Sequence, residues 1–404
     1  MRSYAPGAVT SCATKMKQQT SLKAQEVKQA VESFQGDLLT LLDRIVATNS
    51  YSHNTQGVAQ VVQELSKSLP SSLTLEGSER SPDEVVWICR HGPPNELPIL
   101  LVGHVDTVFP PGSFDNGVVA HGPHLLGPGV ADMKGGIVVI VGALKVLDRL
   151  GFLPRISLTL ALNGDEEIGS PSSAQKLGEL ARSSRLGLVF ECGGPKGSVV
   201  TSRRGLARYH LEIQGEPGHS GTHQGAKESA VVELAQQILN LEALNDPQAG
   251  ISLNVGRVRG GTAVNIIPAE AEAEFEVRFF VEQKGDEIEK RIRTILRTTP
   301  QSKLKTMLAK GHGRPPMVCT PAISQLYQAA TRTAKKIGLE LPEEARGGAS
   351  DANFLAAANL PTLDGLGPVG EMDHSKKERI LANSLFQRVE LLVHLLWDLR
   401  DWTP

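Results

Sequence analysis

Three acids, Asp165, Glu166 and Glu167, stand in a row directly after an apolar run in "SLTLALNGDEEIGS". Like charges side by side repel, and they repel harder where water is scarce. A plain surface loop would carry them without consequence, but at the end of a buried strand they call for a cation. The rest of the chain holds partners of the right chemical type. His104 and Asp106 lie two apart after another apolar run, "LLVGHVDTV", and residues two apart in an extended segment share a face. Asp132 sits in the Gly-rich loop "GPGVADMKGG", Glu191 closes the apolar run "LGLVFEC", and His374 lies in "EMDHSKKE". Singly, each has an ordinary reading as a hydrogen-bonded histidine or a helix N-cap. With Glu166 and Glu167 they make two histidines and five acids, most of them at strand ends. That donor set suits two divalent cations such as Zn²⁺, Co²⁺ or Mn²⁺.

Such residues need a scaffold that collects strand ends. Helical spacing covers roughly 26–47 and 56–69, and continuous apolar runs predict strands near 84–90, 97–108, 155–167 and 186–192. Helices at 135–151 and 171–184 fall between them. Strands that alternate with helices and are apolar along their whole length imply an α/β fold whose mixed, mostly parallel sheet is covered on both faces. In such sheets, sites form at the carboxyl ends of the strands. The pattern changes near residue 205. "GLARYHLEIQG" and "AEAEFEVRFF" alternate strictly, and the order β-α-β-β-α-β follows to about residue 312. That order predicts a ferredoxin-like α+β module inserted into the larger domain, which resumes at 313–404. Domains of 26–204 with 313–404, and of 205–312, are therefore expected, after a disordered tail at 1–25.

The chain has 404 residues, too many for one ordinary core, which also argues for two domains. Lys plus Arg number 42 and Asp plus Glu 44, so no net field steers it to nucleic acid or to an anionic membrane. No apolar run is long enough to span a bilayer. The four cysteines include no C-x-x-C pair, which argues against a disulfide framework and for a reducing cytoplasm. The N-terminal stretch lacks the apolar core of a signal peptide, and a cytoplasmic protein is expected.

The segments "GHVDTV", "GPGVADMKGG", "NGDEEIGS", "FECGG", "GEPGHSG", "NIIPAEAEAEFEVR", "GGASD" and "MDHS" occur in this order. As a set, from about residue 40 to the end, they resemble the M20 family of metallopeptidases. "GRP" at 313–315 and "GGASD" resemble its glutamate carboxypeptidase branch most. The resemblance implies a Zn-peptidase-like catalytic domain with a lid domain through which two copies dimerise. It implies that His104, Asp132 and Glu191 hold one metal and that Asp132, Glu167 and His374 hold the other, with zinc the first choice. Asp106 would orient His104, and the Asp132–Met133 peptide would be cis. Two divalent cations bring four positive charges against three ligand carboxylates and a hydroxide, which leaves Glu166 free as general base. Adjacent residues at a strand end point to different sides, so Glu167 would face the metals and Glu166 the water. Asp165 is left as an acceptor for local backbone. The same resemblance implies that His219 reaches the partner's site and stabilises the oxyanion. Arg278 would take the substrate's carboxylate, Asn265 would assist, and Gly348 and Ala349 would offer backbone N–H groups. Many relatives have a third glycine at Ala349, which puts the shape of that loop in question.

The implied activity is hydrolysis of an amide beside a free carboxylate, releasing a C-terminal amino acid such as glutamate from a small peptide or acyl conjugate. The alternatives are an N-acyl-amino-acid deacylase of the same chemistry and, more remotely, a silent binding homologue. The complete set of ligands together with Glu166 argues against the last.

Overall fold

A computed structural model of the protein describes residues 22–77, 85–93, 95–114, 117–225, 227–297 and 303–404. Residues 1–21 of the expected tail lie outside the described residues, and the first helix already begins at Ala24.

Among the described residues the larger sheet has six strands in the order Glu76–Gly77, Val86–His91, Leu158–Asn163, Ile99–His104, Leu186–Val189, Thr362–Leu363. Ile99–His104 lies at its middle and runs parallel to both neighbours, whereas Val86–His91 joins Leu158–Asn163 antiparallel. The sheet is therefore mixed, with a parallel centre. Every residue of Ile99–His104 and Leu158–Asn163 is buried, as a sheet covered on both faces requires. Burying one such Leu or Ile side chain contributes about 1.5–3 kcal/mol.

The helix Gly135–Arg149 is buried around nearly its whole circumference. It packs against both Ala24–Ala47 and Ala382–Asp398. Gly142 makes that double approach possible, because a Cβ there would stand 2.9 Å from side-chain carbons of both Leu38 and Val389.

A second cluster of buried residues forms around four antiparallel strands, in the order Ser252–Gly260, Glu270–Phe279, Gly205–Gln214, Lys305–Lys310. With the helices Ala230–Glu242 and Glu282–Arg297 between them, the chain order is β-α-β-β-α-β, the ferredoxin-like arrangement. Its helices cover one face only. On the other, Arg208, Glu272, Glu274, Glu276 and Arg278 alternate with buried Ala, Phe and Val.

A small sheet that local patterning did not show pairs Gly370–Glu371 with Arg379–Leu381, and through His124–Leu126 with Val119–His121. Its first hairpin holds the segment that carries His374. Among the described residues no helix is long and apolar enough to cross a membrane. Cys89, Cys192 and Cys319 are free thiols; Cys12 lies outside the described residues.

Candidate metal centre

Ile99–His104 ends on His104, and parallel pairing sets that end beside Asn163, the last residue of its neighbour. His104 is buried, and its Nε2 lies 2.9 Å from Asp132 Oδ1 and 3.7 Å from Glu191 Oε1. The other oxygen of Asp132, Oδ2, lies 3.1 Å from His374 Nε2, which is also 3.1 Å from Glu167 Oε2. One carboxylate thus faces two groups, His104–Asp132–Glu191 and Asp132–Glu167–His374. In each group the donor atoms lie within 4.8 Å of one another and could hold a metal ion.

Buried partners fix these side chains. Asp106 faces His104 Nδ1 with its backbone oxygen at 3.1 Å and its carboxylate at 3.3 Å. The same carboxylate accepts the Ser52 hydroxyl at 2.7 Å and the backbone N–H groups of Glu166 and Glu167, both at 3.2 Å. Asp106 therefore ties one candidate ligand to the segment that bears another. The Asp132–Met133 peptide is cis, and Glu378 grips the loop before it. Its carboxylate, buried on the hairpin side, accepts N–H groups from Gly129, Ala131 and Asp132, while burial pushes its acid up to about 7. Lys134, also buried, donates to the Ile45 and Thr48 carbonyls and docks the loop on the end of the first helix. The two glycines that follow let the next helix start against the sheet: a Cβ on Gly136 would stand 1.9 Å from the Phe190 carbonyl oxygen. His374 and Met372 take left-handed backbone, with φ of 59° and 64°, a conformation that non-glycine residues adopt seldom and mostly at functional sites.

The acidic triplet departs from expectation. The strand stops at Asn163, and Glu166–Ile168 is one turn of 3₁₀ helix. Glu166 and Glu167 therefore diverge as successive residues of one helical turn anchored on Asp106, and strand pleating plays no part. Asp165 turns away from the site and accepts the N–H and hydroxyl groups of Ser172 and Ser173, the local-acceptor place expected of it, with the hydroxyls in addition.

Glu166 Oε1 pairs with Arg314 Nη2 at 2.8 Å, and the same guanidinium donates to the Glu166 carbonyl. Behind it, Asp351 receives Arg314 at 3.3 Å, Ser170 at 2.6 Å and Asn163 at 2.8 Å. This network escaped the reading of the sequence. Arg314 in "GRP" and Asp351 in "GGASD" lie within segments that mark the resemblance, but neither side chain has a role assigned from the sequence.

The titration of the cluster reports its charge. Burial raises Glu166 to about 8, against the pull of Arg314. Glu167 and Glu191 are also raised, by burial first and by the Asp132 charge second. Burial alone would raise Asp132 too, but hydrogen bonds from His104 and His374 hold it far below the usual carboxylate range. His374 is pushed up to about 11, by Asp132 first and Glu167 next. Negative charge that holds a proton so tightly suits a divalent cation in its place.

Two cavities meet at the centre. One, of about 560 Å³, is lined by Glu191, Cys192, Arg203, Arg346 and Asp373 beside the ligand candidates. The other, of about 210 Å³, lies between Glu166 and the inserted module, and Arg278 lines it. Gly348 and Ala349 line both. Arg203 is held by two bonds it donates, Nη1 to the Gly348 carbonyl at 2.9 Å and Nε to Asp364 at 2.7 Å. Ala349 is not among the residues with positive φ, so alanine there carries no backbone strain. Arg278 gives Nε to Glu276 at 2.7 Å and Nη1 to the Gly347 carbonyl at 3.0 Å. His219 and Asn265 are neighbours in the inserted module, where the strand Gly218–His219 pairs with Ile266–Ile267 and Ser220 N–H donates to Asn265 O. Both are exposed, and neither lines these two cavities.

The chain resembles known proteins along most of its length. The family model described as peptidase family M20/M25/M40 matches residues 100–398. Carboxypeptidase G2 of a Pseudomonas species (strain RS-16) is 30% identical over 309 residues, covering 74% of this chain and 74% of that protein. A succinyl-diaminopimelate desuccinylase of Alkalilimnicola ehrlichii is 28% identical over 370 residues, covering 86% of this chain and 95% of that one. Among solved structures, a tripeptidase from Staphylococcus aureus superposes with a TM-score of 0.78 at 20% identity, over 91% of this chain and 99% of that one, which speaks to the fold.

Proposed function

The chain belongs to peptidase family M20/M25/M40, and from that premise we propose that it is a two-metal hydrolase that cleaves an amide next to a free carboxylate. The favoured reaction releases a C-terminal amino acid such as glutamate from a small peptide or acyl conjugate. One observation carries the reading: Asp132 offers its two oxygens to two separate donor groups, one completed by His104 and Glu191 and the other by Glu167 and His374. Imidazole and carboxylate donors suit zinc, with cobalt or manganese as alternatives. When bound, two such ions polarise the scissile carbonyl and lower the pKa of a water toward roughly 7.

The chain's own residues do the rest. Glu166, which lines both cavities beside the ligand candidates, is placed to take the attacking water's proton and to pass it to the leaving nitrogen. Arg314 and Asp351 hold Glu166 in place. Asp106 orients His104, as histidine ligands commonly require. Arg278 receives the substrate carboxylate through its remaining Nη2, and Gly348 and Ala349 offer backbone N–H groups beside it; Asn265, next to His219 and off both cavities of its own chain, assists in the partner's site together with His219.

We take 26–204 with 313–404 as the catalytic domain and 205–312 as the lid, through which two copies associate. The helix Ala230–Glu242 turns Val231, Val232, Ala235 and Leu239 outward. Val231 packs against Gly260 at the end of the open edge strand, which also exposes Val258. An apolar helix stripe beside a strand edge that is unpaired among the described residues suits a self-complementary two-fold interface. In such a dimer His219 serves the partner's site and stabilises the oxyanion.

The similarity to a desuccinylase favours a second reading, an N-acyl-amino-acid deacylase that uses the same chemistry. A screen of the zinc- or cobalt-loaded protein against dipeptides, folates and N-acyl amino acids tests both. Release of a C-terminal amino acid from peptides or folates supports the first, and turnover confined to N-acyl amino acids supports the second. No hydrolysis of any of them by metal-loaded protein would contradict both and leave a silent binding homologue.

A further inference from the structure

The smaller cavity beside Glu166 holds more positive charge than the arginine assigned above accounts for. From the catalytic side it is walled by Glu166, Glu167 and His374, and from the inserted module by Arg208, Arg278 and His312. Arg314 borders it as well, but its guanidinium is committed to Glu166 and Asp351. Arg278 is partly committed, through Nε to Glu276 and through Nη1 to the Gly347 carbonyl.

Arg208 differs from both. It stands opposite Glu276 across the strand pair, where a cross-strand ion pair would be the ordinary outcome. Glu276, however, gives its carboxylate to Arg278, and the next acid on that face, Glu274, binds Arg257 at 3.0 Å. Among the described residues the Arg208 side chain has no ion pair and no hydrogen bond. Its Nη1 lies 4.0 Å from where a Cβ on Gly169 would stand. It therefore reaches off its own sheet and over the turn that follows Glu166 and Glu167.

We propose that Arg208 is a second carboxylate-recognising residue, which with Arg278 clamps the substrate's free carboxylate on the lid side of Glu166. An arginine whose fork is unoccupied binds a carboxylate at two points. Arg278 brings only Nη2 to that task, and Arg208 brings a whole guanidinium. The inference rests on the reading that the substrate carries a free carboxylate, and it adds the residue that senses it.

The test compares wild type, Arg208→Gln and Arg208→Lys, loaded with metal, on the best dipeptide or N-acyl amino acid from the screen and on the same compound with its carboxylate amidated. Arg208→Gln is expected to raise KM for the free acid at least about tenfold, as loss of a charge-assisted pair does. It should leave the amide unchanged, and Arg208→Lys should recover part of the loss. Because Arg208 is exposed, the thermal midpoint should not move, which separates recognition from folding. If wild type prefers the acid and Arg208→Gln keeps that preference whole, the assignment of Arg208 is overturned while the carboxylate reading stands. If wild type treats acid and amide alike, the carboxylate reading falls and takes the assignment with it.

Discussion

The two large sheets of this chain place their polar side chains under different rules. Ile99–His104 and Leu158–Asn163 are buried at every position, so charged groups gather where those strands stop. There His104, Asp132, Glu167, Glu191 and His374 crowd together, and their proton affinities shift by burial and mutual charge. In the inserted sheet, Glu270–Phe279 alternates between buried and accessible positions. Its acids and arginines spread along a wet face and pair across strands, as Arg257 does with Glu274. A sheet covered on both sides concentrates charge until only metal or protons relieve it. A sheet covered on one side distributes charge and leaves an occasional cation, such as Arg208, for a ligand. The buried sheet should therefore control catalysis and metal, and the open sheet recognition and assembly.

The largest effects test the buried side of that division. Glu166→Ala should lower kcat by roughly 10²–10⁴, the usual worth of a general base, and leave metal content at its wild-type level. Glu167→Ala should lose metal instead. Metal analysis and steady-state kinetics on both variants decide it, and reversed metal contents would exchange the two roles.

Next come the residues of the open sheet. Arg278→Ala should lower kcat/KM on a free-acid substrate by about 10²-fold, near 2.7 kcal/mol, with little change on the amidated analogue. Equal losses on both would show that Arg278 supports the fold through Glu276 and Gly347 and does not bind substrate.

Assembly gives a smaller signal with a definite size. His219→Ala and Glu166→Ala should each be nearly inactive. If His219 serves the partner's site, half the dimers after subunit exchange are mixed and each of those carries one intact site. Activity should then recover to about a quarter of wild type. Proven exchange without recovery would confine His219 to its own chain.

The smallest effect is on stability. In chelated protein Glu166 has its carboxyl raised from 4.5 to about 8, by burial above all. A raised folded-state pKa stabilises the fold below the unfolded value and loses that contribution as pH climbs through the folded one. The thermal midpoint of chelated wild type should therefore fall between about pH 4.5 and 8, and Glu166→Gln should flatten that fall. Identical slopes would mean that Glu166 stays ionised throughout.

Much of the buried half was legible in the sequence. Strand runs ending in His104 and in the acidic triplet, and a Gly-rich loop holding Asp132, are local patterns. The supporting residues were not, because their partners lie far along the chain. Glu378 binds the loop at Ala131 across 247 positions, and Asp351 binds Asn163 across 188. Local spacing holds no trace of such pairs. The turn at Glu166–Ile168 was hidden for another reason. An apolar run followed by acids reads as one long strand until the Asp106 carboxylate is seen gripping two consecutive N–H groups. Alternation exposed the charged face of the inserted sheet, but which acid each arginine takes depends on cross-strand register.

The most direct measurement of the central claim is metal content alongside activity. Purified protein, chelated exhaustively and then titrated with Zn²⁺ or Co²⁺, should regain hydrolysis as metal analysis rises toward two ions per chain, while Asp132→Ala should retain neither ion. Full activity after chelation, with no metal detected, would contradict the account.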